Sequence, residues 1–320
     1  MKNSKSCGLD NLDTNIIKLI RPYIVPVITH IVNTSISTNQ FPTIYKHAKV
    51  IPLHKGKDAP STQAKSYRPI SILPVVSKII ERAIQTQITS YMNSSQLFHP
   101  NHHAYRQYHS TTTAMLSMHD AWVEAAECGQ LAGVTLIDMS AAFDVVDVSL
   151  LLKKCAILNF AQETVQWLKS YLTERQQSVY IGGHLSSKIT LEAGVPQGSI
   201  LGPLLYTVYT LDFPEVVHKE DCPYKCDDQQ IKFRTMCTEC GGICCYADDS
   251  TYTVTATTSD ELSVKLETNF KIMSEYLTEN RLCINTDKTH LLVMSTRQKK
   301  RKKYRKTNKS KHWKRSYYAI

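Results

Sequence analysis

The chain has 320 residues, 42% of them hydrophobic and 21% charged, which is ordinary for a globular protein able to bury a full core. It contains no apolar run of about 18 residues and no apolar signal core at its start, so we expect an intracellular protein, in the nucleus or the cytoplasm. The net charge of +10 belongs to residues 297–320, which hold twelve Lys or Arg and no acid, against 26 basic and 28 acidic residues elsewhere. We expect a basic, disordered tail that contacts nucleic acid or directs nuclear import; a merely solvated end is the alternative.

Hydrophobic periodicity and turn residues predict a mixture of helices and short strands, without internal repeats. In chain order they are a helical region over 9–40 interrupted at Pro22 and Pro26, a strand over 48–53, helices over 75–92 and 111–127, a buried strand over 134–137, helices over 148–157 and 162–172, a hairpin of 178–181 with 188–191 around Gly182-Gly183, a helix over 203–211, a hairpin within 243–254, a helix over 259–280, a turn over 285–289 and a strand over 290–294.

Two adjacent carboxylates, Asp248 and Asp249, lie between runs rich in β-branched and aromatic residues, which predicts that they occupy the tip of a hairpin. Like charges side by side favour a divalent metal, although an exposed Asp-Asp turn is the plain alternative. Asp138 ends the buried strand and can join them at one sheet edge. Three such carboxylates are the ligand set for two Mg²⁺ ions about 4 Å apart. One ion would activate a 3′-hydroxyl toward an α-phosphate, and the other would stabilise the leaving pyrophosphate.

Two further features follow from the residues alone. The segment 194–202, Gly-Val-Pro-Gln-Gly-Ser-Ile-Leu-Gly, has a backbone that can lie close to a ligand. Asp144 and Asp147 lie past the end of the buried strand. We interpret Asp144 as structural and Asp147 as the N-cap of the helix that starts at Val148.

The order of these segments resembles the reverse transcriptase domain of non-LTR, LINE-type retrotransposons, from about Gly8 to Ser295. The resemblance is carried by Ser66-Tyr67-Arg68-Pro69-Ile70-Ser71 in the fingers, Ile137-Asp138-Met139-Ser140-Ala141-Ala142-Phe143-Asp144 as motif A, Gly194-Val195-Pro196-Gln197-Gly198-Ser199-Ile200-Leu201-Gly202-Pro203 as motif B, Tyr246-Ala247-Asp248-Asp249 as motif C and Asn285-Thr286-Asp287-Lys288-Thr289 as motif D.

The resemblance implies an α+β fold, the fingers and palm of a right-hand polymerase, with an antiparallel palm sheet and helices behind it. Residues 1–45 would be a helical extension, 46–295 the fingers and palm, and 296–320 the basic tail. The implied activity is RNA-directed DNA polymerisation with Mg²⁺. Its partners would be an RNA template, a DNA primer and dNTPs, and no membrane; the oligomeric state stays open.

The resemblance also implies roles for individual residues. Asp138, Asp248 and Asp249 would hold the metal ions. The incoming nucleotide would be contacted by Gln197, Gly198, Arg68 and either Lys57 or Lys55. Phe143 would be the steric gate that rejects a 2′-hydroxyl, with plain core packing as the alternative. Lys288 would be a general acid toward pyrophosphate, or else an ordinary surface lysine.

Two departures from the family pattern stand out. The link from motif B to motif C, residues 214–242, is long and contains cysteines with the spacing of a four-cysteine Zn²⁺ site. They are Cys222, Cys226, Cys237 and Cys240. The alternative is a poorly ordered insert with free thiols. Cys244 and Cys245 are expected to be strand-core residues.

The second departure is that no thumb follows motif D and no endonuclease precedes Gly8. The leading hypothesis is a reverse transcriptase domain, thumb missing, and the alternative is a truncated, inactive nucleic-acid-binding remnant of a mobile element. A palm-like nucleotidyl cyclase would also pair acids on a hairpin. It would leave the Gln197 loop and Phe143 without a role.

Overall fold

The computed structural model describes residues 7–56, 59–218, 237, 239–296 and 315–319. They form two compact units, each built from two stretches of chain. The first combines residues up to Leu97 with Phe143–Tyr209, and the second combines Phe98–Ala142 with the residues from Thr210 onward. Each unit has one five-stranded sheet with helices, so the predicted α+β class is confirmed. Across the described ranges, no helix is long and apolar enough to cross a membrane.

The predicted helices and most predicted strands are present at nearly the predicted positions, whereas the strands Tyr67–Ile72, His184–Leu185 and Arg315–Ala319 were not predicted. The helices are α1 (Thr14–Leu19), α2 (Arg21–Ser37), α3 (Val75–Ser94), α4 (Thr111–Glu127), α5 (Val148–Ile157), α6 (Gln162–Leu172), α7 (Gly202–Tyr209) and α8 (Ser259–Glu279). The strands are β1 (His47–His54), β2 (Tyr67–Ile72), β3 (Leu131–Ile137), β4 (Gln176–Ile181), β5 (His184–Leu185), β6 (Ile189–Thr190), β7 (Gly242–Tyr246), β8 (Asp249–Ala256), β9 (His290–Ser295) and β10 (Arg315–Ala319).

The sheet of the first unit has the strand order β2-β1-β4-β5, and β6 also pairs with β4. β1 runs antiparallel to β2 and parallel to β4. The predicted hairpin at Gly182-Gly183 has a different second arm, because β5 pairs first and β6 returns to β4 separately. Both glycines have positive φ, 56° and 89°, as a two-residue hairpin turn requires, so the strand pairs with the residues directly after the turn, Ile181 with His184.

The two prolines near the start of the chain do not interrupt the helix as predicted. The break falls at Ile20, and α2 runs through both prolines. Pro22 lies in the first turn, where a backbone N–H has no intrahelical partner, so its missing donor is not needed. Pro26 removes one interior hydrogen bond, and the remaining turns of α2 continue.

The core of the first unit is aromatic and aliphatic. Trp167 stacks on Tyr171 with ring centroids 5.5 Å apart, and Phe41 meets both rings edge-on. On α3, the predicted apolar stripe is buried at Ile80 and Ile84. The ring contacts of Phe41 thus join α6 to the segment that precedes β1.

The sheet of the second unit has the order β10-β9-β3-β8-β7, with β3 in the centre and antiparallel to β8 and β9. Helices cover both of its faces. On one face Trp122 of α4 donates to the Thr253 hydroxyl at 3.3 Å. On the other, a Cβ at Gly133 would lie 3.0–3.1 Å from Leu262 and Leu266 of α8, so glycine lets the helix approach closely. Burial on both faces explains the continuous apolar run of β3.

The basic C-terminal segment contains a strand. Residues Arg315–Ala319 form β10, which pairs in parallel with β9. The disorder expected for the tail therefore does not extend to these five residues, because an open sheet edge offers backbone hydrogen bonds to any extended segment. The remainder of the basic run, 297–314, lies outside the described residues.

Candidate active site

The Asp248-Asp249 pair occupies the tip of a hairpin, as predicted. β7 and β8 pair antiparallel up to Tyr246 opposite Asp249, which leaves a two-residue loop of Ala247 and Asp248. Ala247 has a φ of +57°, a left-handed conformation that costs a non-glycine residue energy and is often found at functional sites. The loop fixes the direction of both carboxylates, with Asp248 half-buried and Asp249 exposed.

Asp138 reaches the same end of the sheet. It follows β3, and the register that places Ile137 opposite Ser250 brings the next residue beside Asp249. Although the Asp249 side chain reaches solvent, partial desolvation by its surroundings raises its pKa, the charges of Asp248 and Asp138 raise it further, and Lys288 opposes the shift. Three mutually repelling carboxylates therefore lie at one edge of the sheet.

A turn 147 residues further along the chain holds Asp138 in place. The Asn285 side-chain amide donates to Asp138 Oδ2 at 2.8 Å, and the Asn285 backbone N–H donates to the Asp138 carbonyl at 2.8 Å. Lys288 Nζ lies 3.5 Å from the same Oδ2, but the lysine side chain is 65% exposed. Sequence reasoning named Lys288 and missed Asn285, whose only sequence signal was its place at the start of the turn that precedes β9.

The donor set is that of a hard divalent cation, since carboxylate oxygens are the ligands that Mg²⁺ prefers. Among the described residues, no group of three or more His, Cys, Asp or Glu side chains is arranged to hold a metal ion. At this edge, Asp138 Oδ2 accepts a hydrogen bond from Asn285 and lies 3.5 Å from Lys288 Nζ. The residues present fit a cation by chemistry, and a cation would compete with Lys288 for Asp138.

The nucleotide-site candidates of motif B lie in the first unit. The Gln197 side-chain amide donates to Asp144 Oδ2 at 2.7 Å, and the Gln197 carbonyl accepts from the Ser71 N–H at 2.8 Å. Gly198 has a φ of +113°, and a Cβ there would lie 2.6 Å from the Ser71 carbonyl oxygen. Asp144, interpreted as structural, thus contacts the predicted site residue directly. Burial raises its pKa, and the hydrogen bond from Gln197 opposes that shift.

Phe143 lies beside this loop. Its ring packs on Tyr206 with centroids 4.6 Å apart, and its carbonyl accepts from the Val195 N–H at 2.8 Å. The ring is half-buried, so one part packs and another part is accessible. Both the predicted gate role and the core alternative are compatible with that position.

The basic residues of the fingers have different surroundings. Arg68 is exposed on β2, opposite Leu53 of β1. Lys55 Nζ donates to the Lys65 carbonyl at 2.7 Å, which directs it back onto its own loop. Lys57 lies outside the described residues. Of the two described candidates, both are exposed, and Lys55 is the one bonded to its own loop.

Two of the four cysteines proposed for zinc, Cys222 and Cys226, lie outside the described residues. Cys237 and Cys240 form a tight turn in which the Cys240 N–H lies 3.5 Å from Cys237 Sγ. This geometry closes the turn that leads into β7.

Two smaller predictions are confirmed. Asp147 Oδ1 accepts from the Leu150 N–H at 2.8 Å and caps α5. Cys244 and Cys245 are buried in β7, and burial raises the pKa of their thiols to about 11 and about 12. Both thiols are therefore protonated core groups at neutral pH.

Comparisons with known proteins show a family to which the chain is similar. The sequence profile of the family described as reverse transcriptase (RNA-dependent DNA polymerase) matches residues 53–314. The chain is 34% identical over 211 residues to the probable RNA-directed DNA polymerase from transposon BS of Drosophila melanogaster, covering 66% of this chain and 23% of that protein. It is 34% identical over 210 residues to the RNA-directed DNA polymerase from mobile element jockey of the same species, again covering 66% and 23%.

Solved structures show the same fold. A telomerase from Candida tropicalis, in complex with a fragment of telomeric RNA, aligns with a TM-score of 0.52 at 11% identity over 79% of this chain and 42% of that one. The apo enzyme truncated from its C-terminal domain gives a TM-score of 0.50 at 11% identity, over 79% and 51%. The chain spans about a quarter of the length of the curated relatives it matches.

Proposed function

The chain belongs to the reverse transcriptase (RNA-dependent DNA polymerase) family, in its non-LTR retrotransposon branch, and we propose that it extends a DNA primer on an RNA template. The observation that supports this most is the strand register that brings Asp138 beside the Asp248-Asp249 hairpin. Rigid strands suit this chemistry, because a misplacement of about 1 Å can cost about a hundredfold in rate.

The three carboxylates would hold Mg²⁺. When bound, the metal would supply Lewis-acid activation of the primer hydroxyl and neutralise charge on the leaving pyrophosphate. Asn285 would keep the Asp138 carboxylate oriented. Lys288, once displaced from Asp138, would be close enough to the reacting phosphates to donate a proton; its exposure supports only a modest contribution.

The incoming dNTP would be positioned by groups of the first unit. Arg68 would contact the triphosphate, since its guanidinium is exposed and suits phosphate oxygens. Gln197, oriented by Asp144, would contact the sugar or base. Gly198 would let the backbone approach the nucleotide.

Primer extension on an RNA template, with the whole 320-residue chain, tests the polymerase proposal. Wild type is expected to incorporate dNTPs with Mg²⁺, and Asp248→Asn to fall to background. The matched control is Asp120→Asn on α4. This acid has a side chain that is 83% exposed, and it lies outside all of the motif segments quoted above. Equal incorporation by wild type and Asp248→Asn would refute the proposal.

Sugar discrimination tests the role of Phe143. If its ring packs beneath the sugar, Phe143→Val opens space for a 2′-hydroxyl and raises the rNTP-to-dNTP ratio of kcat/KM by about tenfold or more. If the ring is only core, the variant loses stability through the contact with Tyr206, and the ratio is unchanged. Thermal unfolding recorded on the same preparation separates the two outcomes.

A further inference from the structure

Glu81 is a buried carboxylate that the proposed chemistry does not use. It lies on α3 with no exposed surface, and both of its oxygens accept hydrogen bonds. Oε1 accepts from the Ser77 hydroxyl at 2.8 Å. Oε2 accepts from the backbone N–H groups of Ile200 at 2.7 Å and Leu201 at 3.3 Å. Three donors therefore satisfy both oxygens of this buried side chain, and a buried carboxyl without such partners would be strongly unfavourable.

The two backbone donors show which segment of the chain Glu81 contacts. Ile200 and Leu201 immediately precede α7, whose first-turn N–H groups point out of the helix and favour a negative charge. They also form the C-terminal end of the motif B loop. Glu81 therefore joins α3 to the point where that loop becomes a helix.

The loop is fixed at its other points as well. The Ser71 N–H binds the Gln197 carbonyl, and the Val195 N–H binds the Phe143 carbonyl, each at 2.8 Å. Gln197 is itself the last of these backbone contacts, and the Glu81 anchor begins three residues later at Ile200. The anchor thus sets where the loop ends, and with it the direction in which Gln197 is presented.

We propose that Glu81 is a positioning residue for the incoming nucleotide, which acts by anchoring the C-terminal end of the Gln197 loop through Ile200 and Leu201. This inference rests on the proposed function, because it assigns Gln197 to the nucleotide site. Removal of the anchor is expected to raise KM for dNTP with little change in kcat, since the carboxylates belong to other elements.

Glu81→Met tests the proposal, because it keeps the side-chain length and removes both acceptors. We expect KM for dNTP, and the Kd of a fluorescent dNTP analogue, to rise by about tenfold to a hundredfold. In a Gln197→Ala background the same change is expected to add less than about threefold, because both substitutions then affect one contact. Full additivity of the two effects would overturn the proposal.

Hydrogen exchange provides a readout that does not need activity. Exchange at the Ile200 and Leu201 amides is expected to rise by about tenfold or more in Glu81→Met. The matched control is Ser77→Ala, which removes the partner of Oε1 and leaves both amides bonded to Oε2, so their exchange stays near wild type. Unchanged exchange in Glu81→Met would overturn the proposal.

A second variant covers failure of Glu81→Met to fold. Glu81→Gln keeps one carbonyl acceptor and loses the charge, and a neutral acceptor bonds about half as strongly, so exchange at the two amides is expected to rise by about threefold. Exchange unchanged from wild type would then overturn the anchor. A wild-type chain without primer extension would contradict the proposed function, while exchange and analogue binding would still decide the role of Glu81.

Discussion

Replacing Asn285 by Ala removes the closest side-chain donor to the Asp138 carboxylate. Its amide lies 2.8 Å from Oδ2, and a hydrogen bond to a charged group contributes about 1.5–3 kcal/mol. The Asp138 side chain is 25% exposed, so water replaces part of the lost interaction and the lower half of that range applies. About 1.5–2.2 kcal/mol corresponds to a fall of about tenfold to fortyfold in kcat.

The assay is single-nucleotide primer extension at saturating dNTP, repeated over a Mg²⁺ titration. Asn285→Ala is expected to lower kcat and to raise the Mg²⁺ concentration needed for half-maximal rate, because a freely rotating carboxylate is a poorer ligand. Asn285→Asp places a second anion beside Asp138 and is expected to be more severe than Asn285→Ala. Lys288→Ala is the contrasting variant: its exposed ion pair is long, 3.5 Å, and a change of about threefold or less is expected.

Two results would refute this reasoning. One is an Asn285→Ala enzyme within about twofold of wild type at all Mg²⁺ concentrations, since Asp138 would then need no side-chain support. The other is a Lys288→Ala enzyme more impaired than Asn285→Ala, with loss of the alkaline limb of the rate–pH profile. That outcome would assign the turn's contribution to proton donation by Lys288.

Three further predictions concern stability and are checked by urea unfolding. Gly198→Ala is expected to lower the free energy of unfolding by about 2–3 kcal/mol, because the position has a φ of +113° and a Cβ there would lie 2.6 Å from the Ser71 carbonyl oxygen. Gly183→Ala, with nothing within 4 Å of its Cβ, is expected to lower it by about 1 kcal/mol. Equal losses for the two variants would contradict the steric explanation. Asp147→Ala removes the α5 cap and is expected to cost about 1 kcal/mol, and Asp147→Asn much less. Burial lowers the pKa of His102 to about 3, so the unfolded chain binds the extra proton. The free energy of unfolding therefore falls as pH drops from about 6.5 toward 3, by about 1–2 kcal/mol between pH 7 and 5, and His102→Gln is expected to flatten that slope.

The parts predictable from sequence are those that local physics decides. Helices α5 and α6 begin and end where periodicity placed them, and the α5 boundary is marked by the Asp147 cap. The apolar run of β3 predicted a buried strand that is followed by Asp138. The Asp248-Asp249 turn followed from a charge pair between two strand-forming runs. Each of these signals lies within about ten residues of chain.

The parts that were missed depend on long-range pairing. Asn285 contacts Asp138 only because β9 aligns antiparallel with β3, and no local pattern specifies that register. Asp144 was interpreted as structural because no local sequence pattern indicates that Gln197 is its hydrogen-bond partner. Glu81 did leave a signal, since it falls on the buried stripe of α3, four residues after Ser77. A polar pair on an apolar stripe could have been recognised as a buried hydrogen-bonded site.

In the second unit, backbone hydrogen bonds fix the position of Asp138, whereas neighbouring side chains act on its carboxylate. Asp138 is located by backbone bonds, because its carbonyl accepts from the Asn285 N–H and the following segment continues the pairing through Ser140 N–H to the Cys283 carbonyl at 2.9 Å. Replacing the Asn285 or Lys288 side chain by Ala keeps the backbone groups that form those bonds. The side chains of Asn285 and Lys288 can therefore be changed while Asp138 stays at the same edge beside the hairpin. A loss of rate without a loss of unfolding free energy then measures what each side chain does to the carboxylate.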